Sequence, residues 1–163
     1  MIRWCIMIAA GTIVAVLTIA HPSVLAENSF LDAFISHEIL ALLIVILTIT
    51  LASIGNIHLT LSRMVQRFEN RAEGELAATP ARNEINSSGW SLLYAFAVCT
   101  VILLVKGGTD SNAYAQSATN GAGLVILLFN MLVLKDIYDT VYDLVKSDGG
   151  AREHEQNDAT RGD

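Results

Sequence analysis

His37-Glu38 is the pair in this chain that most resembles the start of a catalytic motif. An H-E dipeptide on a helix opens the zinc site H-E-x-x-H, where two imidazoles one turn apart ligate the metal and the glutamate acts as base. The residue four after His37 is Ala41, so the second ligand is missing. His21 and His58 stand alone, Cys5 and Cys99 show no C-x-x-C spacing, and no serine has a base close by in sequence. No glycine-rich loop follows a strand pattern. These residues predict a protein that is not an enzyme, with no catalytic, cofactor or metal site.

Polar residues in apolar surroundings are the stronger lead, because hydrocarbon cannot satisfy them. Ala52, Ser53, Asn56 and Thr60 recur at three- and four-residue spacing, which places them on one helix face. His58 falls nearly opposite Asn56, and Asn130 lies at a similar depth in a later apolar run. Ser53, Asn56, His58, Thr60 and Asn130 are thus candidates for interhelical hydrogen bonding or for lining a pore. The first reading predicts that Asn56 and Asn130 each bond to a group on another helix.

Charge supplies the second pattern. Arg63, Arg67 and Arg71 recur every four residues and form a basic stripe; Asp136, Asp139 and Asp143 form an acidic one. Like charges one turn apart are mildly unfavourable within a helix. Lys135 with Asp139, Asp143 with Lys146 and Arg71 with Glu75 relieve part of that repulsion, and pairing the two stripes would relieve the rest. These six residues are the candidate docking surface. On an ideal helix Asp139 points about 180° from Asn130, so one straight helix pair cannot make both an Asn56–Asn130 and an Arg–Asp contact. If both form, one lies between subunits.

Four apolar runs must position these residues, at about 4–20, 39–61, 90–105 and 118–134. Each is near the ~20 residues that cross a bilayer as a helix, and each is apolar all round. Hydrophobic residues make up 53% of the chain and charged ones 16%, against ~25% charged in soluble domains. The fold expected is an all-α membrane protein, a four-transmembrane-helix bundle. No breaker appears between 60 and 74, so the second helix is expected to continue about four turns beyond the membrane. The fourth is expected to run on to about Lys146 and stop at Asp148-Gly149-Gly150. The polar stretch 74–89, with Pro80, reads as a linker. Residues 1–146 form the membrane domain, and 147–163 have the composition of a disordered tail.

Lys and Arg concentrate before the first run, between the second and third, and after the fourth; Lys106 is the exception. The positive-inside rule then puts the Arg63–Arg82 loop, both termini and both helix extensions in the cytoplasm, with the bundle in the cell inner membrane. Val24-Leu25-Ala26 fits a signal-peptidase site, so residues 1–26 read either as a retained anchor or as a cleaved signal. The net charge of −6 lacks the basic face that nucleic acid requires. The function expected is a non-enzymatic, homo-oligomeric membrane subunit, surrounded by the lipid bilayer, whose cytoplasmic extensions dock a protein partner. The alternative is a small oligomeric pore or channel, including a holin-like membrane-permeabilising protein.

Overall fold

A computed structural model describes the backbone of residues 2–66, 68, 70–108 and 112–161, and the side chains of those from Arg3 to Tyr142. All its regular structure is helical: α1 (Ile2–Ala20), α2 (Pro22–Ala26), α3 (Ser29–Ala33), α4 (Ile39–Val65), α5 (Arg71–Lys106) and α6 (Ala113–Arg161). Four helices are long and apolar enough to cross a membrane, and the four expected spans fall one each within α1, α4, α5 and α6.

Punctuation between the helices follows side-chain chemistry. Pro22 occupies the first turn of α2, where its missing N–H costs nothing. Asn28 caps α3, its Oδ1 accepting from the N–H groups of Phe30 and Leu31. Asn112 caps α6 in the same way, accepting from Tyr114 and Ala115. Between α3 and α4 the chain kinks: Ile35 (φ −85°, ψ 62°) and Ser36 (φ −140°, ψ −143°) leave the helical region.

The second helix does not continue to Glu75. It ends at Val65, and Asn70 starts α5 by accepting from the Ala72 N–H while donating to Glu73 Oε1 at 3.0 Å. Gly74 makes the turn compact, since a Cβ there would sit 3.1 Å from the Phe68 ring. The expected linker 74–89 is therefore helix, and α5 is the helix with the long polar extension. Its buried positions Gly74, Ala78, Ile85, Ser88, Leu92, Ala95 and Cys99 keep one helical period across the polar stretch. Pro80 removes the bond to the Leu76 carbonyl, and its ring crowds that carbonyl. Packing compensates, because Ala78 and Ile85 lie in one cluster with Ile57, Leu61 and Val65 of α4, and Val141 of α6 covers it.

The order across the bundle is α4, α5, α6, α1, with α6 central and α1 at the edge. α4 and α5 approach closely at Gly89, where a Cβ would meet Ile54 at 2.8 Å. α1 and α6 approach at Gly121, where a Cβ would meet Val14 Cγ1 at 2.3 Å. The segment 21–38 is not a simple loop. Leu25, Leu31 and Ile35 are buried against Val14 and Leu17 of α1, Leu103 of α5 and Leu124 of α6. α6 does not stop at Gly149-Gly150; its backbone stays helical to Arg161, through residues whose composition suggested disorder. Ala151, Arg152, Glu153, Glu155 and Gln156 are strong helix formers that offset the ~1 kcal/mol each glycine costs.

Candidate functional site

Two ends of the bundle can be told apart. Arg3, the end of α4, the start of α5 and Asp136 lie at one; the 21–38 segment and Lys106 lie at the other. Between them, α4 buries Leu43, Thr50, Ile54, Ile57, Leu61 and Val65. That stripe is centred about 140° from Asn56. The polar stripe consequently faces away from the bundle: Ala52, Asn56 and Thr60 are exposed and Ser53 is partly so. Ser53 Oγ donates to the Ile49 carbonyl (2.9 Å) and Thr60 Oγ1 to the Asn56 carbonyl (3.0 Å), both within α4. The Asn56 amide has no partner among the described residues. His58 is half-buried, and its carbonyl accepts from Ser62 Oγ.

Asn130 is buried, but its Nδ2 donates to the Ile126 carbonyl of its own helix at 2.8 Å. The expectation that Asn56 and Asn130 bond across helices thus fails within the single chain. Spacing identifies a stripe, but the larger apolar stripe on α4 decides which side turns inward. Nor do these groups converge on a pore within one chain, since Asn56 points out and Asn130 is spent on its own backbone.

Among the described residues the charged stripes do not meet either. Asp136 pairs with Arg3 of α1, and Asp139 with Lys135 one turn before it. Arg63 and Arg71 are exposed; Arg67 and the Asp143 side chain lie outside the described residues. The cause is the break after Val65, which puts Arg63 and Arg71 on different helices. Arg82 makes the cross-helix contact instead, with Nη1 on Glu75 Oε2 (2.8 Å) and Nη2 donating to Ser62 Oγ of α4 (3.3 Å).

Two polar arrangements were not expected from the sequence. Lys106, the exception to the charge distribution, reaches back over the kink. Its Nζ donates to the carbonyls of Ile35 (2.8 Å) and Asp32 (3.2 Å) and contacts the Asp32 carboxylate (2.9 Å). The kink releases carbonyls from the helix ladder, and the ammonium satisfies them. Beside it a cavity of about 450 Å³ is bounded by Asp32, Ser36, His37, Leu40 and Thr100. The second arrangement is a buried seam on α6. Ser117 Oγ donates to Thr18 Oγ1 of α1 (3.2 Å), and Asn120 Nδ2 donates to the Leu25 carbonyl of α2 (2.8 Å). Both residues are wholly buried, and Asn120 Oδ1 has no partner among the described residues. The signal was present in the small and polar start of the fourth span, but nothing in the sequence named its partners.

Among the described residues no three His, Cys, Asp or Glu side chains gather as a metal site would require. His37 Nδ1 lies 3.5 Å from Ser36 Oγ, a contact within the kink. The geometry can hold helices in register and close a kink. No family model matches the chain, and neither a curated protein nor a solved structure does.

Proposed function

We propose that this protein is a non-enzymatic, homo-oligomeric subunit of the cell inner membrane that docks a cytoplasmic protein on its projecting helices. The observation that carries the proposal is helix length. At 1.5 Å per residue, the 36 residues of α5 and the 49 of α6 span about 54 and 74 Å, against ~30 Å of hydrocarbon. The excess of α5 is at its start and that of α6 at its end, and the two helices are antiparallel neighbours. Both excesses therefore project from the same side, the Arg3 end. Arg63, Arg71, Arg82 and Lys135 cluster there too, which supports a cytoplasmic orientation for that end. Lys106 does not oppose it, being engaged by the kink.

The projecting part leaves apolar surface for a partner. Leu76 is 79% exposed, and Tyr138 and Tyr142, stacked at 6.4 Å, are 67% and 58% exposed. Exposed aromatic groups of this kind are typical anchors at protein interfaces. The test is to express the full chain alone and follow membrane potential, then recover bound proteins. A polarised membrane, with a partner held by the wild type and lost from Tyr138→Ser/Tyr142→Ser, supports docking. Depolarisation by the chain alone supports the second reading, an oligomeric pore, which the outward face of Asn56 and Thr60 would have to line.

A further inference from the structure

We propose that the outward face of α4 is the contact between two copies of this chain, closed by the amide of Asn56 pairing with its own equivalent. The inference rests on the homo-oligomeric reading above and names its interface. The hydroxyls on this face are already satisfied by carbonyls one turn back, Ser53 on Ile49 and Thr60 on Asn56. Asn56 is different. Its side chain is exposed inside an apolar span, and no described residue accepts from it or donates to it. An amide facing hydrocarbon without a partner is costly, so the face is incomplete as a lipid surface.

Symmetry selects the partner. Copies inserted in one membrane share an orientation, so a two-fold axis between them runs along the membrane normal, and a residue that faces this axis meets its own equivalent. An amide carries both donor and acceptor and is its own complement. A carboxylate or an ammonium would repel its copy at the same position. The surroundings permit close approach: Ala52 is exposed beside Asn56, and a Cβ added at Gly55 would meet nothing within 4 Å of its own chain. Arg63, on the same face, lies two turns nearer the helix end, where its long stem carries the guanidinium out to the headgroups.

The experiment uses the full chain in vesicles with Cys5→Ala and Cys99→Ala as background. Single cysteines are placed on the face (Ala52→Cys, Leu59→Cys) and on exposed positions elsewhere (Ile8→Cys, Val101→Cys, Met131→Cys). Cross-linked dimer is expected at the first two and not at the other three. In a resonance-energy-transfer titration, Asn56→Leu should weaken self-association about 3- to 20-fold, and Asn56→Gln, which keeps the amide, should recover most of it. Cross-linking only through α1, α5 or α6 overturns this interface and leaves the oligomeric reading standing. A chain that is monomeric at every concentration overturns both. Undiminished association of Asn56→Leu overturns the amide pairing.

Discussion

At the scale of single residues, the polar groups in this bundle are spent mainly on backbone. Thr48, Ser53, Thr60, Ser62, Thr100 and Asn130 all donate to carbonyls one turn before them. Such bonds satisfy the side chain without linking helices. Lys106 is one of the groups with long-range consequence, since its ammonium joins the end of α5 to the kink before α4. Lys106→Met should destabilise the fold by about 1–3 kcal/mol, because it leaves the Ile35 and Asp32 carbonyls without their donor. Asp32→Asn should cost under ~1 kcal/mol, because the carboxylate is largely exposed and its pairing screened. Unfolding of both variants in the same detergent checks the pair. Equal losses would show that the ion pair, and not the carbonyl contacts, matters.

At the scale of elements, glycines mark where helices touch. Gly121→Ala must push against Val14 and should cost about 1–3 kcal/mol, whereas Gly11→Ala meets nothing and should be neutral or stabilising by up to ~1 kcal/mol. Thermal unfolding of the two alanine variants decides it; equal behaviour would mean that α1 does not pack on α6 through Val14. The start of α5 makes the second test. Ile85 is 1% exposed in the cluster with Leu61 and Val65, so Ile85→Ala should cost about 2–4 kcal/mol. A harmless Ile85→Ala would return residues 74–89 to the status of a linker.

For the whole molecule, the placement of charge and the packing of α1 lead to one arrangement. Reporter fusions at Pro80 and after Asp163 should read inside and one at Asn112 outside. An outside signal at Pro80 would invert the map. Ala26 is buried, and the Leu25 carbonyl holds the only bond made by the Asn120 side chain among the described residues. Cleavage after Ala26 would remove that acceptor and the α1 partner of Asp136 together. Intact mass measurement of the membrane-extracted protein should therefore find residues 1–26 present; a mature start at Glu27 would refute it.

The sequence by itself determined the all-helical class and the four helices long and apolar enough to cross a membrane. Lipid crossing demands a fixed length of uninterrupted apolar residues, a local property legible in the four runs that became α1, α4, α5 and α6. It also carried the period that makes 74–89 helical, in Gly74, Ala78, Ile85 and Ser88, although Pro80 and the polar composition obscured it. Only the tertiary structure decided which face of each helix turns inward. The Asn56 stripe and the apolar stripe of α4 have the same periodicity, and the choice depends on how well each packs against Gly89 and Ile85 of α5. Charge partners were undecidable for the same reason. Asp136 finds Arg3, more than a hundred residues away in the chain, because α1 and α6 are antiparallel and adjacent, and no local spacing encodes adjacency.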